Sequence, residues 1–148
     1  MFKRILIPTD GTERSLRAVH EGVAFAHEVN AAVVGFYAPE DYRMFLANEY
    51  LPPALLPEKE YKGKLSRAAG ANLQPIAREA AWAGVPYEGY AESAQTPWAA
   101  IVRAAGDKAC DLIFMTSHGR TGLAALVKGS QAYEVIAHSR IPVLVWRE

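Results

Sequence analysis

The chain has 148 residues, 51% of them hydrophobic and 22% charged, which is enough apolar material for one packed domain and too much for a disordered chain. Lysine plus arginine balance aspartate plus glutamate at 16 each, so no global field draws in nucleic acid or an anionic membrane, and neither is expected as a partner. A single cysteine, Cys110, excludes an intrachain disulfide and a thiol-rich metal site.

The chain opens Met1-Phe2-Lys3-Arg4 and shows no long apolar run before a small-residue cleavage site. Its longest apolar stretch, residues 31–39, is far too short to span a bilayer, and a cytoplasmic location is expected. Short apolar runs then alternate with segments of helical spacing. Ile5-Leu6-Ile7-Pro8 predicts a first strand that ends at the turn Thr9-Asp10-Gly11-Thr12. Leu16, Val19, Val23 and Ala26 share one face of a first helix, and residues 32–38 predict a second strand ended by Pro39.

Residues 40–61, opening on Glu40 and closing on Tyr61, break this pattern. They crowd Pro52, Pro53 and Pro57 together with Tyr42, Phe45, Tyr50 and Tyr61 into an unusually long connection. The aromatic rings either cover a ligand or pack the excursion onto the sheet edge. Leu65, Ala69, Leu73, Ile76 and Ala80 mark a second helix, stopped by Gly84 and Pro86. Residues 85–91 predict a third strand. Pro97 suits the first turn of a helix that continues through Ala100, Ile101, Ala104 and Ala105. Residues 111–116 predict a fourth strand, preceded by Cys110, which is either a small buried hydrophobe or a redox thiol. Residues 130–138 predict a short last helix, and Ile141, Pro142, Val143, Leu144, Val145 and Trp146 a fifth strand.

Strands alternating with helices imply right-handed crossovers. The expected fold is α/β: one domain over residues 1–148, built on an open, doubly wound, mainly parallel five-stranded sheet with helices on both faces. In such a sheet, ligands bind beyond the carboxyl ends of the strands where the winding reverses. Two segments emerge there. Pro8-Thr9-Asp10-Gly11 follows the first strand, and Asp10 suits either a helix cap or a hydrogen bond from a ribose hydroxyl or an adenine amine. Met115-Thr116-Ser117-His118-Gly119-Arg120 follows the fourth strand, and Gly129-Ser130 then opens a helix. Glycines let backbone N–H groups approach an anion, and a helix N-terminus adds free amides and a favourable dipole, so a phosphate fits here.

These two segments, with Ile141-Pro142-Val143-Leu144-Val145 at the end, closely resemble the signature of the universal stress protein family. The resemblance covers the whole chain, weakly from residue 40 to about residue 92. It implies a Rossmann-like fold of the adenine nucleotide alpha hydrolase type. The ATP-binding branch carries Gly, two residues, Gly, nine residues, Gly, then Ser or Thr; Gly119, Gly129 and Ser130 match, and Thr116 replaces the first glycine. Thr116 either crowds the nucleotide or adds a hydroxyl contact, and Lys128 beside Gly129 either supplies charge to a phosphate or faces solvent. The resemblance puts Pro8, Thr9 and Asp10 against the adenosine. It puts Tyr37 beside the base, where the ring either stacks or fills the pocket. Gly119, Gly129, Ser130 and Gln131 would hold the phosphates, and Met115, Thr116, His118 and Arg120 complete the nucleotide-binding set.

The implied ligand is ATP, or ADP or AMP, with Mg²⁺ held by way of the phosphates. The sequence shows no Walker lysine motif and no general base is assigned, so no catalytic residue is named, and slow hydrolysis or self-phosphorylation at Ser130 is the most chemistry expected. No metal ligands are assigned either. His20 and His27, seven apart, share a helical face without further ligands; His118 suits a loop hydrogen bond and His138 a helix C-terminus. The leading function is a stress-response regulatory module that binds an adenine nucleotide. Its rivals are a dimeric interaction protein that binds no nucleotide and an adenylyl- or phosphoryl-transfer enzyme. The apolar strand Ile141 to Trp146 is expected at a sheet edge, where an exposed edge invites pairing. A homodimer through it is expected, with an unknown protein partner besides; the competing arrangement folds residues 40–61 over that edge.

Overall fold

Unbroken apolar runs between turns become strands, and all of them join one sheet. A computed structural model of the chain describes residues 1–117 and 130–147. The chain order is β1 (Arg4–Thr9), α1 (Glu13–Glu28), β2 (Ala32–Tyr37), α2 (Tyr42–Glu49), a 3₁₀ turn (Pro53–Leu55), α3 (Glu58–Ala83), β3 (Tyr87–Ala91), α4 (Pro97–Asp107), β4 (Leu112–Thr116), α5 (Gln131–His138) and β5 (Val143–Trp146). The five strands lie in the order β3-β2-β1-β4-β5, and every pairing is parallel. The α/β architecture expected from the alternating pattern is therefore present.

Strand residues alternate between two cores. Leu6, Val34, Phe36, Ile113 and Met115 pack with Ala100, Ile101, Ala104 and Val135 of α4 and α5. Ile5, Ile7, Val33, Leu112 and Phe114 pack with Val19, Val23, Ile76 and Ala80 of α1 and α3. Burying each Val, Leu, Ile, Phe or Met side chain among these contributes roughly 1.5–3 kcal/mol. Gly22 lets α1 lie close on the sheet: a Cβ there would sit 2.8 Å from the Ile7 side chain and 2.9 Å from the Phe114 ring. Gly84, at φ +69°, ends α3 in the left-handed cap that Gly84 and Pro86 foreshadow in the sequence.

The aromatic rings of residues 40–61 pack this excursion beside the β3 edge of the sheet. Asp41 caps α2, its Oδ1 accepting from Met44 N at 2.8 Å. Tyr42 and Phe45 then pack on Tyr61 of α3 at centroid distances of 5.5 and 4.8 Å. Tyr61 donates to the Glu40 carbonyl at 2.7 Å, and Tyr42 to the Leu56 carbonyl at 2.6 Å. Burial, with Glu40, Asp41 and Tyr37 nearby, raises the Tyr61 phenol above its ordinary value. Glu40 also bridges Ala94, just past β3. The segment thus sits on the β3 side, at the opposite edge from β5, and does not cover the last strand. It also lets α3 begin at Glu58, two turns before the first residue of the sequence-derived periodicity.

At the amino ends of the strands, Asp111 accepts from the backbone N–H of Lys3 at 2.8 Å and of Arg4 at 3.0 Å. Arg4 donates to the Lys108 carbonyl at 2.7 Å and pairs with Glu88, which also accepts from Lys108 Nζ at 2.6 Å. This network ties β1, β3 and the end of α4 together. The Lys108 hydrogen bond, opposed by desolvation and reinforced by Arg4, holds the Glu88 carboxyl below its ordinary value. Cys110 is buried beside it, and desolvation pushes its thiol up to about 11, which leaves it protonated and unreactive near neutral pH. Among the described residues no helix is long and apolar enough to cross a membrane.

Because the Glu88 value is lowered by folding, its contribution is complete above the ordinary carboxylate range and is lost as pH falls through the lowered value. With 40% of its side chain exposed, that contribution is screened to about 1 kcal/mol or less. Glu88→Gln is expected to lower stability by that amount at pH 7 in urea denaturation, and the difference from wild type should vanish in strong acid. An equal difference at pH 7 and pH 2.5 would show that the charge plays no part.

Candidate functional site

The site begins with an interruption in the sheet. β1 pairs with β2 along its whole length, to Thr9 opposite Tyr37. Its pairing with β4 stops at Leu6 opposite Ile113. Winding also reverses between these two strands, since β2 and β3 lie to one side of β1 and β4 and β5 to the other. The carboxyl ends of β1 and β4 therefore border an opening at the topological switch point, the ligand position of this class of sheet.

The β1 side of the opening is a tightly bonded turn. Thr12 caps α1, accepting from Ser15 N at 3.3 Å. Asp10 Oδ1 in turn accepts from Thr12 N at 2.9 Å and from the Thr12 hydroxyl at 2.7 Å. Thr9 is buried, and its hydroxyl shares a hydrogen bond with Ser15 Oγ at 2.8 Å and accepts from Gly11 N at 3.1 Å. Gly11 stands at φ +80°, a left-handed conformation natural to glycine. Asp10 is not itself the cap of α1: its Oδ1 braces the cap residue Thr12, while Oδ2 accepts from none of the described residues and the carboxylate stands exposed. An ionised carboxylate has lone pairs for about four hydrogen bonds, so a ligand donor is readily accommodated.

Pro8 is half-buried in β1, and Tyr37 is half-buried at the end of β2. On the β4 side, Thr116 is half-buried opposite Trp146, and Ser117 is buried with its N–H donating to the Trp146 carbonyl at 3.1 Å. Met115 is 6% exposed, packed in the core against the α4–α5 layer, so its side chain serves packing. Ser130 caps α5, its Oγ accepting from Tyr133 N at 3.2 Å, and Gln131 is the exposed first residue of that helix. His118, Gly119, Arg120, Lys128 and Gly129 lie outside the described residues.

The structure therefore brings Pro8, Thr9, Asp10 and Tyr37 together on adjoining strand ends, and sets Met115 and Thr116 across the opening. Sequence reasoning named Thr12 only as part of the turn and did not single out Ser15, although a threonine just before a helical run with Glu13 in its first turn is a cap signal. It also passed over Asn72 of α3, whose side chain lies against Gly11. Among the described residues no group of three or more His, Cys, Asp or Glu is placed to hold a metal. His20 instead meets Glu79 of α3 at 3.2 Å, and His138 stacks on Trp98 at 4.3 Å between centroids.

Comparison with known proteins gives a consistent assignment. The profile of the Universal stress protein family matches residues 1–147. A universal stress protein of Thermus aquaticus is 35% identical over 99% of this chain and 100% of its own length. Universal stress protein MJ0531 of Methanocaldococcus jannaschii is 33% identical over 98% of this chain and 82% of its own. The solved structure of MJ0577 from the same organism superposes with TM-score 0.79 at 30% identity, covering 100% of this chain and 97% of that one. Two more distant structures share the fold. A universal stress protein in complex with cAMP is 23% identical, with TM-score 0.70 over 99% of this chain and 97% of its own. The universal stress protein from Archaeoglobus fulgidus in complex with dAMP is 16% identical, with TM-score 0.64 over 98% of each chain. The chain belongs to the universal stress protein family.

Proposed function

We propose that this universal stress protein binds an adenine nucleotide, ATP foremost, in the opening between β1 and β4, and that occupancy regulates its partners. The observation that carries the reading is the early end of β1–β4 pairing, with an exposed, half-committed carboxylate on one side and the start of α5 on the other. Asp10 Oδ2 would accept from the ribose or the adenine amine. The phosphates would lie toward α5, where Ser130, Gln131 and the glycines Gly119 and Gly129 of the sequence signature supply amides and a positive helix end. Mg²⁺ would be carried by the phosphates. The ligands of the cAMP and dAMP relatives belong to those proteins; they support the reading in that this fold accommodates adenine nucleotides.

A second property goes with this one. β5 is the outer strand beyond β4, and Val143, Leu144, Val145 and Trp146 are all half-buried. An apolar edge of this kind favours an isologous homodimer in which the same strand pairs across a two-fold axis. The displacement of residues 40–61 to the opposite edge supports that arrangement, since they do not occupy the position the second subunit would take.

Calorimetry is expected to give an ATP–Mg²⁺ affinity between ~1 µM and ~1 mM, about −8 to −4 kcal/mol. Gly129→Val should abolish it in a folded protein, while Thr116→Gly should leave it equal or tighter. No heat and no thermal shift at millimolar ATP would refute nucleotide binding, and an unchanged affinity in Gly129→Val would remove that glycine from the phosphate site. Light scattering at micromolar protein should report twice the chain mass of 16.2 kDa, shifting toward monomer in Leu144→Pro. A wild-type protein that stays monomeric at high concentration would rule the interface out.

A further inference from the structure

Asn72 lies in α3, far in sequence from every signature residue, yet its side chain reaches the turn that carries Asp10. A Cβ built on Gly11 would fall 2.3 Å from Asn72 Oδ1 and 3.0 Å from its Cγ. The amide is therefore seated directly over Gly11, in the space that only a glycine leaves there. It is half-buried and makes no hydrogen bond to any of the described residues. A primary amide offers two donors and an acceptor, and its half-exposed position leaves them open to a ligand. The neighbouring polar groups of this turn, Thr9, Asp10, Thr12 and Ser15, are all bonded to one another. Asn72 stands apart from that network.

Its place in the sheet indicates what it would meet. α3 packs over β2 and on α1, on the β1–β2 side of the opening, whereas α5 begins on the β4 side. A nucleotide with its phosphates toward α5 therefore directs its base toward β2 and α3. Tyr37 marks the same region by its register: it pairs with Thr9, whose hydroxyl accepts from Gly11 N. An asparagine amide matches adenine in particular: Oδ1 accepts from the N6 amine while Nδ2 donates to N7. A 6-keto purine presents an acceptor at position 6 in place of that donor, so no single orientation of the amide satisfies both positions.

We infer that Asn72 is a specificity-determining contact for the base, selecting an adenine over a 6-keto purine. The inference rests on the nucleotide-binding reading above and adds a contact from α3 that no signature residue supplies. The test is the ratio of ITP to ATP dissociation constants, measured by calorimetry on the full chain. Wild type should prefer ATP, and Asn72→Ala should weaken ATP about tenfold with little effect on ITP, so that the ratio falls by about the same factor. Wild type binding ATP with a ratio that Asn72→Ala leaves unchanged would overturn this inference alone. Wild type binding neither nucleotide would overturn the underlying reading together with it. Should Asn72→Ala not fold, NMR on wild type decides: ATP should shift the Asn72 side-chain amide and give a nuclear Overhauser contact to adenine H8, whereas an unmoved amide in a saturated complex would refute the contact.

Discussion

β1 is hydrogen-bonded on both sides where it begins and on one side only where it ends. Its first residues pair with β2 and β4 together, burying Ile5, Leu6 and Ile7 completely between two helical layers. From Ile7 onward only β2 continues alongside. This asymmetry follows from the winding order, because β1 is the strand at which the chain turns from building one half of the sheet to building the other. The central strand thus anchors the fold at one end and leaves an opening at the other, and the stability of the first end permits the exposure of the second.

The two ends also differ in chemistry. At the amino ends, Arg4, Glu88, Lys108 and Asp111 satisfy one another and the chain start, closing that side with charge pairs. At the carboxyl ends, the polar groups are bonded in a way that leaves capacity in reserve. Asp10 spends one oxygen on Thr12 and keeps the other exposed, and Asn72 brings an uncommitted amide from across the α1–α3 layer. Holding these groups on a braced turn and a long helix reduces the ordering that a ligand would otherwise have to impose. Ser130 is fixed in the same manner, as the cap of α5.

Much of the fold was legible because its strands are short, apolar and punctuated by turn residues. The strands from Ile5, Ala32 and Leu112, and the helix stop at Gly84, follow from local rules. The helix within residues 40–61 was not legible. Pro52, Pro53 and Pro57 read as loop, and α2 has a weak apolar face of its own; its helix depends on Tyr42 and Phe45 meeting Tyr61 from a different element. Pro75 likewise hides the length of α3, since a proline inside a helix removes a hydrogen bond that packing must offset. In the site, Asp10 was legible as a polar residue at a strand end, and Met115 was placed at the right strand end without its core packing being visible. Asn72 carries no local signal at all. Its position over Gly11 exists only once α3 is laid on α1, and no periodicity or motif encodes that distance.

The opening beside β1 is proposed above as an adenine nucleotide site. The most direct measurement is native mass spectrometry of the chain as purified, followed by denaturation to release and identify any bound small molecule. The expected result is a mass increment equal to ATP, ADP or AMP on the chain, lost when Asp10 is replaced by alanine and regained by wild type on adding ATP. A chain that carries no nucleotide as purified and takes up none from millimolar ATP would contradict it.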